Sequence, residues 1–258
     1  MPLGFIGTGE ITRAIVHGLC RREASNFDTP DIVVSPRGAG QAHALAQRFE
    51  RVTIATSNQE VLDRCDTVIL AVRPQVAEAV LSPLTFRHGQ HIVSVIAMLP
   101  MARVADLVSP ATHVTRAAPP PPVALGRGAT AIFPDTDTAH SLFGRLGFVQ
   151  ATKSEDQLEI LFTATATMAT YFAMLETLTY WLQRRGLPPE TAQRYTAELY
   201  GGLGDVARAE CTRDPTELRE DFSTPGGINE QLHAELRDAG VFENLDAALN
   251  AVIRRLQG

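Results

Sequence analysis

The sequence predicts two domains of different class: an α/β domain on a doubly wound, mostly parallel sheet, then an all-α domain. Three observations carry this. Strand-like and helix-like patterns alternate through residue 150, as a parallel sheet with helices on both faces requires. Residues 3–19 place a short apolar run, a glycine turn and an amphipathic stretch in succession. After Thr152 no strand pattern appears, and long helix-compatible runs rich in Ala, Thr, Leu and Met follow.

The elements follow in order. Leu3-Gly4-Phe5-Ile6 predicts the first strand, Gly7-Thr8-Gly9 breaks it, and Ile11, Ala14, Ile15, Gly18 and Leu19 recur at helical spacing over 10–22. This is the order of a Rossmann-type dinucleotide-binding unit. Gly7 permits the tight turn, Gly9 has no Cβ and lets backbone approach a pyrophosphate, and the helix N-terminus presents N–H groups and partial positive charge. The last position of the fingerprint is Thr12 rather than glycine or alanine, and a βα turn that binds nothing is the competing reading. Further strands are expected at 31–35, 52–55, 67–72, 91–97, 112–116, 129–133 and 147–150, with helices at 40–50, 58–63, 75–81 and 100–107. Val68-Ile69-Leu70-Ala71-Val72 is a continuous apolar run, as in a strand buried on both faces.

Ser154-Glu155-Asp156-Gln157 opens a helix, with serine as N-cap and acids in the first turn. It is expected to run over 155–184, until Gly186-Leu187-Pro188-Pro189 stops it. Helices at 189–210, 214–220, 227–239 and 243–256 complete the chain, so the domains are expected at 1–152 and 153–258. The 155–184 helix is apolar on much of its circumference, which suits the core of its own domain or a subunit interface.

Composition narrows the function. The 258 residues are 45% hydrophobic, enough for one large or two medium cores. Net charge is −6 and no basic run exceeds a pair (Arg21-Arg22, Arg184-Arg185, Arg254-Arg255), which argues against a nucleic-acid surface. No apolar stretch long enough for a membrane span is expected, and a first strand at Leu3 leaves no room for a signal peptide. Cys20, Cys65 and Cys211 form no C-x-x-C, and the first two are expected to be buried thiols in a reducing cytoplasm. No metal-ligand spacing occurs, and the seven scattered histidines read as surface or capping residues.

The cofactor's ribose is also addressed. NAD-binding units carry an acid at the end of the second strand for the ribose 2′-OH. Here Asp31-Ile32-Val33-Val34 ends in Ser35-Pro36-Arg37, and the acids Asp28 and Asp31 lie at the wrong end. A Ser35 hydroxyl and an Arg37 guanidinium suit a 2′-phosphate, so NADPH is expected over NADH; a solvated loop arginine is the alternative.

Five segments stand in order along the chain: Gly4-Phe5-Ile6-Gly7-Thr8-Gly9, Thr56-Ser57-Asn58, Val68-Ile69-Leu70-Ala71-Val72-Arg73-Pro74-Gln75, Gly126-Arg127-Gly128-Ala129-Thr130 and Thr224-Pro225-Gly226-Gly227. Together, over nearly the whole chain, they resemble the pyrroline-5-carboxylate reductase family, which makes proline from a cyclic imine, with Arg73 replacing that family's lysine. The resemblance implies that Gly7, Thr8, Gly9, Glu10 and Ile11 line the pyrophosphate and that Ser35, Arg37 and Asn58 surround the adenosine end. It places Ala71, Val72, Arg73 and Pro74 beside the nicotinamide half, with Ala97 near it, and the substrate carboxylate at the loop from Thr224 through Gly226, Gly227 and Ile228 to Asn229. It also implies a homodimer or higher assembly through the C-terminal helices. Glycines ahead of a helix suit a carboxylate in any case, although a plain Pro-Gly turn reads the same way.

The chain departs from that family on the substrate side. After Arg116 the family's Met-Pro-Asn-Thr-Pro is replaced by Ala117-Ala118-Pro119-Pro120-Pro121-Pro122, expected to be a stiff polyproline segment. The family's Gly-Ser-Gly-Pro-Ala-Tyr becomes Ala166-Thr167-Met168-Ala169-Thr170-Tyr171, its two threonines after Gly-Gly become Ile228 and Asn229, and a glycine at the end of the fifth strand becomes Met98. Asn229 is the candidate for orienting the substrate nitrogen and Tyr171 for proton delivery, with a packed helix aromatic as the alternative for Tyr171. Three functions compete: NADPH-dependent reduction of 1-pyrroline-5-carboxylate to L-proline, NADPH-dependent reduction of another imine or a carbonyl, and a non-catalytic NADP(H)-binding dimer.

Overall fold

The computed structural model describes residues 2–21 and 30–257. Arg22, at the expected end of the first helix, and Asp28 lie outside the described residues. The strands are β1 (Leu3–Ile6), β2 (Ile32–Val34), β3 (Val52–Ile54), β4 (Thr67–Leu70), β5 (His91–Ser94), β6 (His113–Ala118), β7 (Gly128–Phe133) and β8 (Gly147–Ala151). They form a single sheet of order β3-β2-β1-β4-β5-β6-β7-β8, parallel except where β6 meets β7. The chain reverses direction across the sheet between β1 and β4, the switch point at which open α/β sheets bind ligands.

Helices α1 (Glu10–Leu19), α2 (Ala39–Arg48), α3 (Asn58–Arg64), α4 (Pro74–Leu81), α5 (Met101–Leu107) and α6 (Asp137–Gly144) accompany the sheet. Period-two alternation sends Val68 and Leu70 of β4 into one core and Ile69 into the other, so both faces are covered and the apolar run is continuous. The first core holds Phe5, Ile15, Leu19 and Phe143; the second holds Ile6, Leu62, Leu81 and Ile92. Helix α6 has no counterpart in the sequence reading. Its start lies in the polar run Asp135-Thr136-Asp137-Thr138, which looks like loop until Thr136 is seen to cap the Ala139 N–H.

Two other expectations are corrected. Only Pro119 and Pro120 precede the turn in extended backbone, whereas Pro121 and Pro122 open a 3-10 helix (Pro121–Leu125), since proline is tolerated in a first turn. This short helix drives the fully buried Val123 against α1, where a Cβ on Gly18 would lie 2.2 Å from the Val123 carbonyl oxygen. The expected 155–184 helix is two helices, α7 (Glu155–Ala164) and α8 (Thr167–Arg184). Its break carries i→i−3 bonds from the Ala166 and Met168 amides, and the Thr167 hydroxyl donates to the Ala164 carbonyl. Threonine hydroxyls compete with the helical ladder in this way.

The chain divides into two compact units, Met1–Phe162 and Thr163–Gly258, so the division falls within α7 rather than ahead of it. An ion cluster binds the first turns of α7 to β6, as described below. The second unit comprises α8, α9 (Pro189–Ala209), α10 (Pro215–Asp221), α11 (Ile228–Asp238) and α12 (Val241–Gln257), in which α8 packs on α9 and α11 on α12. No described residue of α8, α11 or α12 is fully buried. Contrary to the sequence expectation, the stretch Glu155–Arg184 contains an 18-residue window of mean hydropathy 1.4, long and apolar enough to cross a membrane by length and composition alone. Alanines and threonines dispersed among its leucines and aromatics hide that run in the sequence. Cys65 is buried, Cys20 half-buried and Cys211 exposed, and all are free thiols. Burial pushes the Cys65 thiol up to about 11 and raises that of Cys20.

Candidate active site

The glycine turn is held from three sides. Gly7 has φ +102°, and a Cβ there would lie 2.5 Å from the Ala71 carbonyl oxygen at the end of β4. Its N–H donates to Ser35 Oγ at 2.9 Å, and its carbonyl accepts from Thr12 Oγ1 at 2.7 Å. Thr12, the departure from the usual fingerprint, thus braces the turn to the first turn of α1. Thr8 Oγ1 donates to the Arg37 carbonyl, and a Cβ on Gly38 would lie 2.5 Å from Thr8 Oγ1. Ser35 is fully buried and its oxygen accepts the Gly7 N–H, so it braces the turn from the end of β2.

Around this turn lies a cavity of about 260 Å³. Gly7, Thr8, Gly9, Arg37, Asn58, Ala71, Val72 and Arg73 line it, together with the edge of Ser35. Two of its lining residues are cationic and none is anionic. Arg37 and Arg73 are exposed, and among the described residues neither guanidinium has an ion-pair partner. Pro74 is the first residue of α4, behind Arg73. Glu10, at the start of α1, is held aside. Arg13 at 2.6 Å and Gln41 at 2.6 Å bind its carboxylate and keep it below the usual carboxylate range. Asn58 starts α3, whose cap is rigid: Ser57 Oγ accepts the Glu60 N–H, and Glu60 accepts both the N–H and hydroxyl of Thr56. Those Thr56 bonds, with Arg64, bring the Glu60 carboxyl down to about 2.

A dinucleotide fits these residues. A Cβ on Gly9 would meet no protein atom within 4 Å, so no packing requires glycine there, and the space beside its backbone is open to a phosphate. The N-terminus of α1 has no side-chain cap. Asp31 pairs with Arg51 at 3.5 Å and is the residue before β2 begins, while Arg37 follows that strand's end.

A second cavity of about 510 Å³ opens on the other side of α1's first turn, lined by Glu10, Ile11 and Ala97 among the expected residues. Arg116 also lines it, although sequence reasoning used that residue only as an alignment anchor. Its side chain is 7% exposed and is bound by Glu155 and, at 3.5 Å, by Glu159. Glu155 accepts the Met101 N–H as well, at 2.6 Å. The acids in the first turn of α7 had signalled only a helix start; the partner of Glu155 lies 39 residues away in sequence, beyond any local pattern.

In the second unit, Thr224–Asn229 forms a tight turn into α11. Gly226 N–H donates to Glu230 Oε2 at 2.7 Å and Gly227 N–H to the Thr224 carbonyl at 2.8 Å. Ile228 is 83% exposed. Asn229 Nδ2 donates to the Phe222 carbonyl at 2.8 Å, which points its amide oxygen away as an acceptor. Tyr171 sits edge-on to Phe172 and Tyr200, with ring centroids at 5.3 and 6.1 Å, as part of an aromatic cluster.

A doubly wound sheet with a glycine-cornered, cationic crevice at its switch point, followed by an all-helical unit, defines a dinucleotide-dependent oxidoreductase architecture. Residues 2–98 match the family model "NADP oxidoreductase coenzyme F420-dependent", and residues 155–258 match "Pyrroline-5-carboxylate reductase dimerisation". The chain is 27% identical to a pyrroline-5-carboxylate reductase of Pseudomonas aeruginosa, over 98% of this chain and 94% of that one. It is 27% identical to that of a Synechocystis strain, over 100% and 97%. The solved structure of the same enzyme from Coxiella burnetii superposes with TM-score 0.81 at 26% identity, covering 99% and 97% of the two chains. The fold also matches that of the Streptococcus pyogenes enzyme, TM-score 0.84 at 22% identity over 99% and 98%. Over nearly its full length the chain is thus similar to pyrroline-5-carboxylate reductases, and its residues 155–258 match their dimerisation domain.

Proposed function

We propose that this protein reduces 1-pyrroline-5-carboxylate to L-proline with NADPH, as a cytoplasmic homodimer serving proline biosynthesis. The observation that carries the reading is the cationic crevice at the switch point, in a chain that spans nearly the full length of its reductase relatives. When bound, NADPH supplies a hydride to the imine carbon. The chain's own residues then bind and orient. The α1 N-terminus and the Gly7–Gly9 turn receive the pyrophosphate, Arg37 reads the 2′-phosphate, and Asn58 closes the adenosine end. Ala71–Pro74 flank the second half of the dinucleotide, with Ile11 and Ala97 at the neighbouring cavity.

Two first-turn amides of α11, those of Ile228 and Asn229, are the donors left for a substrate carboxylate once Gly226 and Gly227 are engaged internally. The amide oxygen of Asn229 accepts the N–H of a protonated imine, which keeps the better hydride acceptor in place. Tyr171 is the weaker candidate for a proton donor, since its neighbours are aromatic rings. The apolar faces of α8, α11 and α12 supply the dimer interface. A second reading, reduction of a different imine, is favoured by the same engaged glycine amides, by Ile228 and by the proline run after Ala118.

The test is NADPH oxidation with 1-pyrroline-5-carboxylate, with NADH in parallel. Rapid turnover with NADPH preferred is expected. No turnover by a protein that binds NADPH would move the substrate to another imine, and absence of NADPH binding would overturn the cofactor assignment itself.

A further inference from the structure

We propose that the larger cavity gives this protein a preference for cyclic ketimines, imines whose reacting carbon carries an apolar substituent, and that Ala118 and the proline run after it form the subsite for that substituent. The inference rests on the imine-reductase reading above and deepens it by naming the substrate class.

A dinucleotide lying across a topological switch point puts one half over the β2 side and the other over the ends of the strands on the far side. Arg37 and Asn58 mark the first half, beside β2 and β3. The cavity of about 510 Å³ lies on the far side, where Ala97 follows β5 and Pro119 and Pro121 follow β6. A group attached to the imine carbon is the part of a substrate nearest the hydride donor, so it is the part that this cavity meets. The balance is that of the proposed reaction: the protonated imine gains a hydride at carbon, its C=N π pair becomes the nitrogen lone pair, and NADPH leaves as NADP+.

The wall decides the chemistry of that group. Its charged side chains stand in ion pairs, Glu10 with Arg13 at 2.6 Å and Arg116 with Glu159 at 3.5 Å. The rest is aliphatic, proline or phenylalanine. The Val95 amide donates to the Leu70 carbonyl and the Ile96 amide to Ser94 Oγ. Pro119 and Pro121 have no N–H to offer. A polar substituent would lose water here and find few partners, whereas an apolar one gains about fourfold in binding for each CH2 buried. Cavities of this size and lining hold the apolar body of a small ligand. The segment in which this chain lacks the family's asparagine and threonine is therefore the wall itself.

The plain role of the proline run is to seat Val123 against α1, and that role alone gives no preference among substituents. The test compares 2-methyl- and 2-propyl-1-pyrroline-5-carboxylate in NADPH oxidation by the full-length protein. Both are ketimines, so the ratio of their kcat/KM values reports the wall rather than the C=N bond. The propyl compound is expected to be favoured about tenfold. In Ala118→Leu, whose side chain takes up the space, the ratio is expected to fall to about one or below. Ala124→Leu fills the same cavity from the 3-10 helix should the first variant impair folding. Calorimetric titration with the amine products, 5-methyl- and 5-propylproline, is expected to show the same order of affinity without turnover. A ratio at or below one in the unaltered protein, with 1-pyrroline-5-carboxylate still reduced, overturns the inference and leaves the reading above standing. A high ratio that neither variant lowers overturns the assignment to this cavity. No reduction of any of these imines overturns both.

Discussion

Met98 is the non-glycine residue with positive φ among the described residues, at +58°, and it stands where the family's pattern has glycine. A side chain in the left-handed region costs roughly 1–2 kcal/mol, part of which a glycine would return through its freer unfolded chain. Met98→Gly should therefore stabilise the protein by about 0.5–1 kcal/mol, seen as a raised midpoint in urea or thermal unfolding. Glu60 supplies a pH effect of known sign. Its folded carboxyl, at about 2, lies below the unfolded value of about 4.3. Its contribution is thus complete above that unfolded value and is lost as the pH falls toward about 2. The stability gap between the unaltered protein and Glu60→Gln should be widest near neutrality and should narrow progressively below pH ~4. The tight turn at Gly7 was legible because a positive φ is a property of its own backbone, and the place of Arg37 because it follows the end of β2. The engagement of Ser35 by Gly7, across 28 residues, and the pairing of Arg116 with α7 were illegible for the opposite reason.

Among the elements, the contact between α1 and the short 3-10 helix is a tight constraint. Gly18→Ala would force a methyl within 2.2 Å of the Val123 carbonyl, and Val123 is itself fully buried. Over-packing at a site that cannot relax should cost about 1–3 kcal/mol, measurable as a lowered unfolding midpoint. The proline run that creates this contact reads as extended from sequence because proline forbids a helix interior, yet the same residue is favoured in a first turn. Long periodic elements such as α1, α9 and α12 were legible near their observed bounds. Strands β2 to β5 were expected to run longer than they do, as at 91–97 against His91–Ser94, because the apolar run continues past the last ladder bond into the turn, whereas β6, β7 and β8 are each one residue longer than expected.

For the whole molecule, the change from alternating strands and helices to helices alone was plain in the sequence. The compact units divide after Phe162, and an ion cluster ties the first turns of α7 to the sheet. The second unit exposes Phe172 at 65%, Tyr180 at 51% and Trp181 at 47%, more apolar surface on α8 than a solitary helical unit of this size normally leaves in water. Sedimentation should report a dimer or larger assembly, and Phe172→Glu should shift it toward monomer while lowering thermal stability.

The bracing of the glycine turn bears on how fast a cofactor can be taken up. With the Gly7 amide given to a buried serine and its carbonyl to Thr12, the loop is already fixed by bonds internal to the protein. Its Gly7 amide should resist deuterium exchange as a strand amide does, although it lies in a loop. Little ordering is left to be done on encounter, so capture should be governed by diffusion and by the pull of Arg37 and Arg73 on the phosphates. The association rate should fall as salt screens that attraction.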